Sequence, residues 1–460
     1  MENGLAARHG GRIGLAALIA VLLLGLGLRV GEAWDGRAPV YDAAAYAAIA
    51  ANLADGDGFT VGPAATQPSS NYSPGLPLFV AGLYGVTGGD HERLARLVLA
   101  LIGSLSVLFA YLLGRRLGKI QRSLKKSPLR GQDSASAEFW PALLGAAAVA
   151  VYPALLEYQG MLMSEPMAAA LLSGGVLALL WAWDEGAGWS RWLLPGALLG
   201  ALALVRPEYL AIALLVAGVV FAREAVADWR RSLLRAAVLC AALVVVIAPW
   251  TIRNVVAHDR FVPISTGGGQ VLFAGTYLPS DGDPEKVGAE VVAENPDLFR
   301  PQDADHLRLE QILARLAADR HPGMETDQAL SKLGKEQLWD GVTEEPVEYA
   351  GFVATKVWRI WSQGPRDVMR EPAWKALHWL LVASGLLGLG ILAWRRRWEA
   401  LLLGTIFLAI TALSALLVAS PRRVLVLVPL LGALAGVSAG WAQAVLMRGA
   451  GPGEPTPRND

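Results

Sequence analysis

The sequence predicts an all-α protein that crosses a membrane many times. Three observations carry this. Hydrophobic residues make up 54% of the 460-residue chain and charged residues 17%, against roughly 25% charged in soluble domains. The apolar residues fall in long uninterrupted runs, as helices in lipid require. Lys and Arg gather in a few turns between the runs, the pattern of a topology set by positive charge.

The elements follow in order. The first run, 13–30, comes after Arg8 and Arg12. Its length, and the lack of a small-residue cleavage site in Gly31-Glu32-Ala33-Trp34, predict a retained membrane helix rather than a signal peptide. Further spans are expected at 94–113, 140–157, 166–183, 192–205, 207–221, 233–250, 374–393, 399–418 and 424–446. The pair 192–205 and 207–221 is short for a hydrocarbon core of ~30 Å, which needs about 20 residues. Such segments tilt or meet inside a protein-lined cavity.

The basic turns are 114–138, 222–235 and Arg395-Arg396-Arg397. The first holds Arg115, Arg116, Lys119, Arg122, Lys125, Lys126 and Arg130; the second holds Arg223, Arg230, Arg231 and Arg235. Setting all three on the cytoplasmic side of a cell membrane puts both termini there and leaves 31–93 and 251–373 outside. Topogenesis accounts for these turns, and attraction to anionic lipid is the alternative. The chain then divides into a transmembrane module 1–250, with its external loop 31–93; a partly helical external region 251–373; C-terminal membrane helices 374–447; and a Gly/Pro-rich disordered tail 448–460.

The first external loop opens with Tyr41-Asp42-Ala43-Ala44-Ala45-Tyr46 and a helical stretch to Leu53. It continues through Asn71-Tyr72-Ser73-Pro74-Gly75, a turn, into an interfacial or re-entrant stretch 76–86. In the second, Gly267-Gly268-Gly269 and several prolines precede helices at 303–320 and 325–340. Leu307, Leu309, Ile312, Leu313 and Leu316 are spaced for one apolar stripe.

Ionisable residues beside the spans are the functional candidates. Asp42 suits a helix N-cap, and it equally suits a general base at a membrane surface. Glu165, in Ser164-Glu165-Pro166, suits a helix first turn or a second site carboxylate. Arg206-Pro207-Glu208 interrupts a long apolar stretch. An arginine at helix-centre depth costs ~2.5–3.5 kcal/mol, so Arg206 needs Glu208 as partner or an anion such as phosphate. Arg253, in Pro249-Trp250-Thr251-Ile252-Arg253-Asn254, either snorkels to the interface or binds phosphate, and Trp250 suits an interfacial belt. Arg422 and Arg423 end the ninth run on the same outer side.

Other chemistries lack their signatures. The histidines show no metal-ligand spacing, Gly267-Gly268-Gly269 has no strand–helix–lysine context, and no Ser/His/Asp arrangement stands out. A formal net charge of zero and the absence of a basic patch interleaved with aromatics argue against nucleic acid. The single Cys240 cannot form an intramolecular disulfide.

At Asp42 with Tyr46, Asn52…Gly56…Gly58-Phe59, Pro74-Gly75-Leu76-Pro77, Ser164-Glu165-Pro166, Arg206-Pro207 and Pro249–Asn254, the chain resembles the GT-C superfamily of integral membrane glycosyltransferases. The branch it resembles is the bacterial one related to protein O-mannosyltransferases and aminoarabinose transferases, of the family 39 type. The resemblance covers roughly residues 10–280. It implies a GT-C-like bundle of about 10–12 transmembrane helices with interfacial helices in the first external loop. It also implies a sugar donor on a polyprenyl phosphate, used on the extracytoplasmic face, and an inverting displacement with Asp42 as general base. Asp42 and Glu165 are then the expected catalytic residues. Tyr46, Tyr72, Arg206, Glu208, Arg253 and Arg422 are the expected substrate-binding ones. Some members carry an Asp-Glu pair in the first loop; here Ala43 follows Asp42, which departs from the mannosyltransferase pattern. The acceptor is a lipid, glycan or protein, and no cofactor or divalent metal is expected to be required. The rival reading is a transporter or flippase of a lipid-linked or small anionic substrate, because buried ionisable residues also mark transport paths.

Overall fold

The computed structural model describes residues 2–39, 42–61, 69–122, 136–184, 188–364 and 366–449. Tyr41, the basic residues Lys125, Lys126 and Arg130, and the tail segment 450–460 lie outside the described residues. The described chain is helical. In order, the helices are α1 Glu2–Asp35, α2 Asp42–Asp55, α3 Gly75–Thr87, α4 Glu92–Arg122, α5 Ser136–Ala150, α6 Pro153–Gln159, α7 Glu165–Ala182, α8 Leu193–Val205 and α9 Tyr209–His258. They continue with α10 Gly268–Thr276, α11 Val287–Glu294, α12 Asp303–His306, α13 Leu309–Arg320, α14 Thr326–Thr343 and α15 Pro346–Ser362. The last four are α16 Pro372–Trp394, α17 Trp398–Leu416, α18 Arg422–Leu425 and α19 Val428–Gly449.

Seven of the described helices are long and apolar enough to cross a membrane. An eighth span forms if α5 and α6, bent by 48° at their junction, count as one. This chain is a multi-pass membrane protein. The bend falls at Pro153, whose ring removes a helical N–H, and it breaks the expected single span 140–157. The 50-residue α9 is two helices folded back at Asp228, which holds non-helical angles. Ser232 Oγ donates to Val220 O at 3.3 Å, a contact that twelve residues of straight helix, at 1.5 Å per residue, would keep about 18 Å apart. The basic turn expected over 222–235 is therefore helical on both sides of one residue. Counting these arms separately, with the bent pair, gives nine apolar passes among the described residues, and Trp189–Val205 is a shorter apolar segment beside them.

Small residues let the helices close on one another, as lipid-embedded packing requires. A Cβ on Gly145 would lie 2.0 Å from the Gly432 carbonyl oxygen, so α5 and α19 meet backbone to backbone. A second core, separate from that of the long helices, gathers Phe273, Val291, Phe299, Ile312, Leu313 and Leu330. Ile312, Leu313 and Leu316 are buried there, with Leu307 and Leu309 packed against them. The glycine run has a structural use. Gly267 takes φ +94° before α10, and a Cβ on Gly269 would strike the Asp327 carbonyl of α14.

Candidate active site

Four helix starts converge at one end of the bundle, and each brings a charge. Asp42 is the first residue of α2. Glu165 opens α7, where Pro166 suits the first turn and the helix dipole favours a carboxylate. Arg206 precedes Pro207, which drives it into extended backbone (φ −143°, ψ 102°) and ends α8. Glu208 then stands immediately before α9. Pro421 starts the single turn α18 with Arg422 and Arg423.

These side chains form one alternating row. Arg422 Nη1 donates to Asp42 Oδ2 at 3.0 Å, and Arg422 Nε donates to Glu165 Oε1 at 2.7 Å. Arg206 Nη1 donates to the same Glu165 oxygen at 3.1 Å and Arg206 Nε to Glu208 Oε1 at 2.9 Å. Arg423 stands 4.0 Å from Glu208. Glu165 is wholly buried, whereas the Asp42 side chain is 42% exposed. Glu165 Oε2 is buried and meets no donor among the described residues.

The row's electrostatics follow from burial set against pairing. Burial works against the charge on Arg422, but Glu165, Tyr158 and Asp42 together raise its pKa above the ordinary value. Arg206 is likewise raised, Glu208 and Glu165 outweighing its burial. Burial raises Glu208, but Arg206 and Arg423 win and hold it below the usual carboxylate range. Arg423 is lowered, by burial first.

Aromatic residues flank the row. Tyr46 is buried beside it and meets Tyr72 edge to face at 5.9 Å. Burial raises the Tyr72 hydroxyl, and the charges of Glu310, Asp42 and Arg308 also bear on it. Glu310 and Arg308, at the start of α13, thus lie within electrostatic reach of Tyr72. Tyr158 takes two guanidiniums over its ring, Arg422 at 5.6 Å and Arg366 at 5.9 Å. Arg366 and Arg37 both bond Glu157, at 2.6 and 3.0 Å. Sequence reading missed this neighbouring trio; its only signal is a carboxylate beside Tyr158 in an otherwise apolar stretch.

Arg253 stands elsewhere. It donates to Ser69 O at 2.9 Å, Ser70 Oγ at 3.2 Å and Asn254 Oδ1 at 3.0 Å, and stacks over Trp250 at 4.8 Å. Asn254 Nδ2 donates to Val262 O and Ile264 O. Trp250 is buried rather than interfacial, packed on Phe59 with its Nε1 donating to Ile264 O at 2.7 Å. The Pro249–Asn254 motif therefore latches segment 69–72 of the first loop to the end of α9, beside the Tyr72–Tyr46 contact.

Two cavities lie near the row. An apolar groove of about 1060 Å³ runs between α3, α4, α7 and α8, and its near end is lined by Gly75, Met167, Leu204 and Val205, beside Glu165 and Arg206. A polar cavity of about 660 Å³ opens at Pro421, walled by Asp283, Arg359, Arg366, Arg370 and Lys375. Among the described residues no three or more His, Cys, Asp or Glu side chains converge as a metal site.

No protein-family model matches the chain, and no curated sequence does. Solved structures do match in fold. The archaeal oligosaccharyltransferase AglB from Archaeoglobus fulgidus, in complex with an inhibitory peptide and a dolichol-phosphate, superposes with a TM-score of 0.54 at 16% identity over 97% of this chain and 52% of that one. The apo form of the Archaeoglobus fulgidus oligosaccharyltransferase gives 0.55 at 15% identity over 95% and 51%. This chain thus spans about half the length of the archaeal protein. ArnT from Cupriavidus metallidurans, bound to undecaprenyl phosphate, aligns over 94% of this chain and 78% of its own at 14% identity, with a TM-score of 0.39. The archaeal likeness bears out the expected GT-C-like helix bundle.

Proposed function

We propose that the protein is a membrane glycosyltransferase that moves a hexosyl or pentosyl group from a polyprenyl-phosphate donor to an acceptor hydroxyl. One observation carries the reading: Glu165 and Arg206 of the Asp42–Arg422–Glu165–Arg206 row lie within two residues along the chain of Met167 and Val205, which line one end of an apolar groove. A prenyl chain fits the groove, and the guanidiniums at its end fit a phosphate. A fold shared with a protein solved with dolichol-phosphate supports the same donor class.

In this mechanism the acceptor oxygen bonds the anomeric carbon from the face opposite the phosphate. Its proton passes to Asp42. The bond from the anomeric carbon to phosphate breaks with inversion, and its electron pair leaves on the polyprenyl phosphate. Arg422 and Arg206 offset the charge of that leaving group. Because Arg422 also bonds Asp42, a bound phosphate competes for this guanidinium and turns the carboxylate toward the acceptor. Glu165 is the second carboxylate and holds both guanidiniums in register. Tyr46 and Tyr72 border the sugar, and Glu208 orients Arg206. Arg253 serves the site through the loop it latches. The polar cavity at Pro421 suits the approach of a polar part of the acceptor, be it glycan, protein or lipid headgroup. The row faces the extracytoplasmic side, with both termini cytoplasmic. The guanidiniums supply the positive charge the phosphate needs, so no divalent metal is required.

The test is turnover of radiolabelled polyprenyl-phosphate sugars by purified protein in lipid nanodiscs, with a panel of acceptors. Sugar transfer or release that EDTA leaves unchanged supports the reading. Retained polyprenyl-phosphate binding with no turnover across the panel would overturn it in favour of a transporter.

A further inference from the structure

The apolar groove has a second end. About 14 residues of α7 separate Met167 from Trp181 along its wall, ~21 Å at 1.5 Å per residue, so the far end faces the opposite side of the bilayer from the ion-pair row. There Arg115, Arg116 and Lys119 of α4 line the groove together with Trp181 and Leu194. Arg191 lies over the Trp181 ring at 4.4 Å.

Of these cations Arg116 alone is ion-paired among the described residues: its Nη1 bonds Asp184 Oδ2 at 3.2 Å, and its Nη2 bonds Asp184 Oδ1 at 2.5 Å and Leu180 O at 2.8 Å. Among the described residues Arg115, Lys119 and Arg191 have no ion-pair partner, and the buried Nε atoms of Arg115 and Arg116 meet no acceptor. Arg115 Nη1 reaches only the Tyr111 hydroxyl, at 3.5 Å. A basic turn placed by topogenesis needs only to stay in water. It does not need to turn its guanidiniums into the wall of an apolar groove.

We infer that this end of the groove binds the phosphate headgroup of an anionic phospholipid from the leaflet that faces it, with one acyl chain lying between α4, α7 and α8. The headgroup phosphate offers acceptors to Arg115 Nε and to the Lys119 ammonium. A zwitterionic lipid would bring its own ammonium among the same cations, which disfavours it. Free phosphate would gain nothing from the apolar walls. The acyl chain takes the α4 end of the groove that the proposed prenyl chain enters from the other end, and the headgroup contacts rest on no assumption about the transfer reaction.

The experiment uses the full chain in phosphatidylcholine nanodiscs carrying a trace of photoreactive lipid, either phosphatidylglycerol or phosphatidylcholine with the same diazirine-bearing acyl chain. Labelled peptides are mapped by mass spectrometry. Phosphatidylglycerol should label Leu105, Leu112, Leu194 and Leu198 well above the phosphatidylcholine level, and millimolar inorganic phosphate should not displace it. Labelling should fall roughly fivefold for each charge removed in Arg115→Gln and Lys119→Gln, and should survive Arg115→Lys. Arg116 is left intact because it ties α4 to the end of α7. An unchanged melting curve for each variant checks the fold. Equal labelling by the two lipids, or undiminished labelling of the doubly substituted protein, would overturn the assignment.

Discussion

Asp42→Asn separates the catalytic reading from a structural one. The Asp42–Arg422 pair is part exposed, at 42% and 30% of the side chains, and its Nη1–Oδ2 distance is 3.0 Å. An ion pair this open to solvent contributes about 0.2–1 kcal/mol. Arg422 keeps its Glu165 partner when Asp42 is neutralised, so no buried charge is stranded. In a chain of this size such a loss lowers the melting temperature by about 2 °C or less. A general base contributes about 10²–10⁴-fold in rate. The assay is transfer from polyprenyl-phosphate sugar in nanodiscs, read beside thermal unfolding in the same lipid. The expected result is turnover down by at least about 100-fold with the melting curve almost unmoved. Unchanged turnover would refute the role of Asp42 as base. A large fall in stability would refute the energetic argument, because it would make the carboxylate a structural group.

The other predictions probe the same site from different sides. Glu165→Gln removes the wholly buried carboxylate shared by Arg422 and Arg206, which keep Asp42 and Glu208 as partners, and should cost about 1–3 kcal/mol, a larger drop in thermal stability than that of Asp42→Asn. Gly75→Ala would set a Cβ 2.7 Å from the Val205 amide nitrogen, so α3 must move off α8 at the mouth of the groove; stability should fall by about 1–3 kcal/mol and donor KM should rise. Lys356 is buried, donates to the carbonyls of Gly275 and Ala415, and has its pKa pushed down to about 7 by burial and by Arg423. Between about pH 7 and the ordinary lysine value the unfolded chain holds a proton that the folded chain has shed, so stability should rise with pH across that window, by up to about 1.4 kcal/mol per unit. Thermal unfolding from pH 7 to 9 should show this gain in the wild type and lose it in Lys356→Met.

Much of the site was legible because membranes make polar residues conspicuous. Asp42, Glu165, Arg206, Glu208 and Arg422 stand out beside long apolar runs, where each charge is costly without a reason. Burial and pairing are not legible in the same way. Nothing in the chain says that Arg422 would sit between Asp42 and Glu165, residues 380 and 257 positions away. Arg253 looked like the other arginines in sequence, yet its partners are loop carbonyls and a serine. The Glu157, Arg366 and Arg37 trio joins three distant segments, and no one of them carries a motif.

By itself the sequence determined the class, the approximate spans and the candidates, because hydropathy and helix length answer to the bilayer through local composition alone. The tertiary structure decided which charges share partners, that one long helix is a hairpin folded at Asp228, and that a single groove runs from Met167 and Val205, chain neighbours of the acidic–basic row, to the basic end of α4. Those facts depend on how helices pack. Packing turns on close approaches such as Gly145 against Gly432, between residues whose nearness in space leaves no mark on their spacing in the chain.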